Sequence, residues 1–244
     1  MAYSLIPNLR TALACVVVVC FSKVCGTSRQ NVSLAVLLPD DNKRLFSLSR
    51  VTSAIELATE SVIKEGMLTT VRLNPLYDDS NCSIADAMNA AIDFYVNKKV
   101  VVYIGPSCDY AAAPVARQVK YWNLPMITAG AFAGDFGDNK GYEFPMLTRI
   151  GSSFNALARF FMVVLKHFSW TKANLVYSYT GHGAIMDKFC HVLNNAIHHA
   201  FRIHHDVGNF TEVHQKFHRL SDILPSLAHH LGNELADSLY IMQA

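Results

Sequence analysis

"VVVYIGPSCDYAAAPVARQVKYWNLPMITAG" (residues 100–130) decides how the rest of the chain is read. It opens on the apolar run "VVVYI", turns through glycine and proline, passes the amphipathic stretch "VARQVKYW", and ends on the second apolar run "LPMITAG". Short apolar runs bounded by turn residues read as strands buried on both faces, and a helical stretch between two of them is the crossover that parallel strands require. Gly105 and Pro106 account for the turn by backbone geometry. Cys108, Tyr110 and the three alanines 111–113 are not needed for turning, so this junction places something besides a change of direction.

The same alternation continues on both sides. "VSLAVLLP" (32–39) reads as a buried strand, followed by Val51, Ala54, Ile55, Ala58 and Val62 at helical spacing and a stop at Gly66. "TTVRLNPLYDD" gives a strand and "SIADAMNAAIDFYVN" a helix before residue 100. After Gly130 the pattern loosens through "AFAGDFGDNKGYEFP", an irregular connection rich in glycine and aspartate. It resumes with the stripe Phe154, Leu157, Ala158, Phe161, Met162, Leu165 and Phe168 behind the cap candidates Ser152 and Ser153, then strand "ANLVYSY" and helix "AIMDKFCHVLNNAIHHAF". A strand "RIHHDV", a polar helical stretch and the apolar "DSLYIM" complete the pattern. Repetition of this kind argues for α/β architecture with parallel sheets covered by helices, in two lobes meeting near Thr148–Gly151: 27–148 and 149–244. A strand-like run that reaches Met242 with no crossover after it is an unusual finish for a parallel sheet, and reads as a fragment or truncated product.

The 244 residues are 51% hydrophobic and 16% charged, enough apolar material for a large core. Lys+Arg 21 against Asp+Glu 19 leaves +2, without the basic footprint that nucleic-acid binding requires. Arg10 followed by "ALACVVVVCF" (12–21) and by Val24, Cys25 and Gly26 reads as a secretory signal over residues 1–26. The alternative, a membrane anchor, needs roughly 20 apolar residues, about twice the run present. Export leaves Cys82, Cys108 and Cys190 in an oxidising compartment and gives meaning to the glycosylation triplets at Asn31, Asn81 and Asn209.

Cys108 and Cys82 both lie at strand-to-helix junctions of one sheet, where a bridge between them is geometrically reasonable; the alternative is two structural thiols. Amides around Ser107 and Cys108, entering a helix, suit an anion, though such turns also bind water alone. No G-x-S-x-G, H-E-x-x-H, Walker or C-x-x-C motif occurs, and "SYTGHGAIM" has Met186 where a dinucleotide turn needs glycine. All 11 histidines lie between His167 and His230, with His214 and His218 at i, i+4. Without recognised ligand spacing they read as solvated polar positions, and no metal is assigned.

"YDDSNCS", "GPSCDYAAAPVARQVKYWNLPMITAGA", "LTRIGSSF", "W-x4-LVYS" and "IMQA" together resemble the extracellular domain of natriuretic peptide receptors and related receptor guanylate cyclases. That resemblance implies a two-lobed, type I periplasmic-binding-protein-like fold, here incomplete at its C-terminus. It implies a Cys82–Cys108 disulfide, a structural chloride at Ser107 and Cys108 with Ser80 nearby, and peptide contacts at Tyr110, Arg117 and Glu143. A ring with a polar tip, a forked cation and an anion suit a cationic peptide. Cys190 matches a cysteine whose family partner falls at Gln243, leaving an intermolecular bond or a lost pairing. The expected function is extracellular binding of a peptide hormone by a homodimer, or by a dimer with full-length receptor, signalling through cyclic GMP when a cyclase is attached. No cofactor other than the chloride, no nucleic acid, and membrane contact only through a segment outside this chain are expected. The alternatives are a binding protein for small amino-acid-like molecules in the interlobe cleft, and a non-signalling decoy.

Overall fold

A computed structural model describes residues 30–170, 172–203 and 211–217. Residues 1–26, expected as a secretory signal, Asn209, the "DSLYIM" run and the histidines at 204, 205, 218, 229 and 230 lie outside them. The first sheet orders its strands β2-β1-β3-β4-β5, all parallel: β1 Gln30–Leu38, β2 Val71–Asp79, β3 Val102–Ile104, β4 Met126–Thr128 and β5 Leu147–Arg149. Helices α1 Leu48–Lys64, α2 Ile84–Val96, α3 Asp109–Trp122 and α4 Asp135–Asp138 connect them. Leu34 to Leu38 of β1 are all buried, as a central parallel strand covered on both faces must be.

The alanines after Tyr110 have a packing role. Ala111, Ala112 and Ala116 of α3 and Ala87 and Ala91 of α2 share one core and are fully shielded from solvent. Small side chains at these positions bring the two helix backbones close. Tyr103 fills the space beneath, and its hydroxyl donates to the Ala91 carbonyl (2.8 Å), so its polar end is satisfied in the core. At the end of α3, Trp122 stacks on Tyr95 with ring centroids 4.3 Å apart.

Several boundaries differ from the sequence reading. Helix α3 begins at Asp109 and runs through Pro114, not after it. Burial of Ala111, Ala112 and Val115 on one face outweighs the hydrogen bond that the proline removes. α1 buries none of its residues completely, and Ala54 and Ala58 of the expected stripe are exposed, because this helix covers the outer β2 side of the sheet. The irregular stretch 131–145 holds the short α4 and leads into β5, a strand too short to give a periodic signal.

The second sheet pairs β6 Lys172–Ser178 with β7 Thr211–Phe217 in parallel, with α5 Phe154–His167 before it and α6 Phe189–Ile203 between its strands. Ser153 caps α5, its hydroxyl accepting from the Ala156 amide at 3.1 Å. Phe168, expected on the buried stripe, sits at the helix C-cap and is 58% exposed. α6 starts at Phe189 and not at Ala184, and it keeps Arg202 and Ile203, which the sequence reading assigned to a strand. The stretch read as a polar helix contains β7 instead, so His214 is a strand residue and does not share a helix face with His218.

Candidate functional site

The β3–α3 junction is built by close backbone contact. Gly105 has φ +86, and a Cβ there would stand 2.1 Å from the Leu37 carbonyl oxygen. A Cβ on Gly130 would stand 1.8 Å from the carbonyl oxygen of Ser107, so only glycine lets the β4 exit pass this turn. Thr128 donates its hydroxyl to the Pro106 carbonyl (2.6 Å) and accepts from the Gly130 amide (3.0 Å), locking the two strand exits together.

Cys108 is the N-cap of α3 and is bonded to Cys82, with Cα atoms 5.4 Å apart. The amides of Ser107 and Cys108 precede the first turn of a helix, where no intrahelical acceptor is available to them. Across the disulfide, Ser80 is fully buried and its hydroxyl has no hydrogen-bond partner among the described residues. The disulfide ties the Ser80 turn to the α3 N-terminus, and an unpartnered hydroxyl and free helix amides are both donors of the kind that suit an anion.

Asp109, at the first position of α3, was not singled out from the sequence. Its carboxylate accepts from the Phe132 amide (2.9 Å) and the Ala133 amide (2.8 Å). Burial pushes its pKa up to about 6, against the opposing pull of these amides and of Arg149. Arg149 donates to the carbonyls of Ala131 (2.8 Å) and Ala133 (3.3 Å), so the same loop is gripped from both sides.

Tyr110 follows on α3 and is 43% exposed. Arg117 lies seven residues further along, two turns on the same helix face, about 10 Å along the axis. Arg117 Nε donates to Glu143 Oε2 at 2.6 Å, and its guanidinium sits 5.1 Å from the Phe144 ring centroid. The structure therefore brings Arg117 and Glu143 together, with Tyr110 at the other end of the face. Beside them Lys120 donates to the Tyr142 carbonyl (2.7 Å) beneath the exposed rings of Tyr121 and Tyr142, an aromatic extension that the sequence reading missed. Exposed aromatics scattered over a loop and a helix carry no periodicity by which they could be found.

The second lobe reaches this region. The Lys188 ammonium lies 5.6 Å from the ring centroids of both Tyr110 and Tyr179. Arg44, from the loop after β1, donates to the Gly183 carbonyl and to Asp187 Oδ1, each at 3.1 Å. These partners stand 139 and 143 residues from Arg44, a separation at which no local pattern could have announced them.

Asn31 and Asn81 are exposed, and Asn81, at φ +48, donates its side-chain nitrogen to Asp86 Oδ2 (3.1 Å). Cys190 is buried at the start of α6, where burial pushes its thiol pKa up; that placement does not suit an intermolecular bond. Among the described residues no group of three or more His, Cys, Asp or Glu side chains could hold a metal ion, and no helix is long and apolar enough to cross a membrane.

Residues 50–208 match the family described as "Receptor family ligand binding region". The chain is 36% identical over 200 residues to atrial natriuretic peptide receptor 3 of Bos taurus and of Homo sapiens, covering 75% of this chain and 35% of those receptors. It is 35% identical over 149 residues to atrial natriuretic peptide receptor 2 of Anguilla japonica, covering 58% of this chain and 14% of that receptor. The chain thus spans about a third of the length of the first of these relatives. Its fold matches an ABC transporter substrate-binding protein from Desulfitobacterium hafniense in complex with Leu, with a TM-score of 0.67 at 17% identity over 87% of this chain and 58% of the other. The parallel two-lobed fold and the match over residues 50–208 lead to one conclusion: the chain belongs to the receptor family ligand binding region.

Proposed function

We propose that the chain is the extracellular hormone-binding part of a natriuretic-peptide-receptor-like protein, and that a peptide docks on the exposed face of α3 through Tyr110, Arg117 and Glu143. The observation that carries this reading is the Arg117–Glu143 pair on one half-exposed helix face with Tyr110. A forked cation and an anion, already oriented by each other, can each take an oppositely charged peptide group with little further ordering. In the full-length receptor this binding feeds a guanylate cyclase; the chain itself is a binding module, not an enzyme. Residues 1–26 direct export, lobes 27–148 and 149–244 meet near Thr148–Gly151, and Asn31, Asn81 and Asn209 carry glycans. The working form is a dimer at the outer face of the plasma membrane or in the secreted state. A chloride held by the amides of Ser107 and Cys108 steadies the disulfide turn, a reading supported by the buried, unpartnered Ser80 hydroxyl.

Calorimetric titration with synthetic atrial natriuretic peptide tests the reading. Arg117→Ala and Tyr110→Ala are each expected to weaken binding by about 30-fold, the effect of losing an interface anchor. Wild-type affinity in both variants, or saturable binding of free leucine in place of the peptide, overturns it.

A further inference from the structure

We propose that Tyr110 and Tyr179 form a two-ring cation site spanning the two lobes, which Lys188 fills in the free chain and which an arginine side chain of the peptide ligand takes over on binding. The proposal rests on the reading of Tyr110 as a ligand contact and adds Tyr179 and Lys188 from the other lobe. The Lys188 ammonium lies 5.6 Å from the centroids of both rings, within reach of a cation–π contact with Tyr110, and it also hydrogen-bonds the Tyr179 side chain, so both tyrosines hold the cation. Tyr179 is in turn set against the His191 ring, with centroids 4.8 Å apart, which restrains one wall of the site.

Lys188 is held there at a conformational cost. Its φ is +58, a left-handed backbone that a long side chain rarely adopts, and its side chain is exposed, so the ammonium can leave for water without unmaking a core. The residue before it, Asp187, receives the Arg44 guanidinium, so the same short segment bridges the lobes twice. Arginine is the natural competitor. Its planar guanidinium stacks on aromatic faces and is more weakly hydrated than an ammonium, so it exchanges into a half-exposed pair of rings at lower desolvation cost. Filling the site with a ligand arginine frees Lys188 and removes one of the two bridges, which couples binding on the first lobe to the position of the second.

Two readouts test this. Synthetic atrial natriuretic peptide is titrated into wild type, Tyr110→Ala, Tyr179→Leu, Lys188→Met and Lys188→Arg. Lys188→Met keeps the stem and removes the competitor, so affinity should rise about fivefold, Tyr179→Leu should lower it by a similar factor, and Lys188→Arg should return it to wild type or below. Separately, distances between spin labels at Lys98→Cys and Lys166→Cys, both exposed and on different lobes, are measured without ligand; Lys188→Met should broaden the distribution and Lys188→Arg restore it. If Tyr110→Ala leaves affinity unchanged, the ligand face itself is wrong. If Tyr110→Ala weakens binding while Tyr179→Leu and Lys188→Met do not alter it, the face stands and the two-ring site is overturned. An unchanged label distribution in Lys188→Met overturns the bridge whether or not the peptide binds.

Discussion

Asp109 shows how one side chain can serve two ends of a fold at a cost. Its two amide hydrogen bonds favour the carboxylate, but burial outweighs them and raises its pKa from 3.8 to about 6. Between those values the folded chain holds a proton that the unfolded chain has released. The Asp109 contribution to stability is therefore largest below the lower value and declines as pH rises through about 6. Asp109→Asn, which cannot ionise, should lack this decline: below the lower value it should be less stable than wild type by about 1 kcal/mol, because its amide nitrogen cannot accept a backbone hydrogen, and the gap should close as pH rises through about 6. Urea unfolding of both proteins at a series of pH values reads the difference, and parallel curves across this window would show that Asp109 does not titrate there.

At the scale of elements, the Cys82–Cys108 bond ties the β2–α2 junction to the β3–α3 junction, two turns at the same end of one sheet. Asn81 and Cys82 both have φ +48, a left-handed pair that a free loop would abandon readily. The bridge closes a loop with a sequence separation of 26, for which chain entropy predicts about 3.5 kcal/mol of stabilisation. Cys82→Ser/Cys108→Ser should lower the free energy of unfolding by roughly that amount. It should also weaken halide dependence of the melting temperature if a chloride occupies the turn. Denaturant curves in chloride and in sulfate buffers measure both effects, and a variant as stable as wild type would mean that the sheet alone sets the turn.

For the whole molecule, Phe132 is the pivot. Its amide is held by Asp109 of the first lobe, its carbonyl accepts from the Phe154 amide of the second at 2.8 Å, and its ring packs on Phe154 and Phe189. The two cores are otherwise separate clusters. Phe132→Ala is expected to cost about 2 kcal/mol and to uncouple them, splitting thermal unfolding into two transitions in a calorimeter. One undivided transition at the wild-type temperature would assign the coupling to Arg44 and Lys188 instead.

Legible in the sequence were the alternation of strands and helices, the parallel first sheet through its apolar runs, and the Cys82–Cys108 pairing through the resemblance. These are legible because burial on both faces leaves continuous apolar strands and because strand exits gather at one edge of a parallel sheet. Leu34 to Leu38 announce their burial without any partner being known, whereas in "VVVYI" Val100 and Tyr103 are buried and Val101 is exposed. Tertiary structure alone decided that α3 runs through Pro114, that 211–217 is a strand, that Arg117 and Glu143 hold each other, and that Lys188 lies between tyrosines from two lobes. Each of these depends on atoms far apart in the chain. Packing against α2 carries the proline, pairing with β6 extends a polar segment, and the approach of the lobes sets a cation over rings that no spacing rule connects.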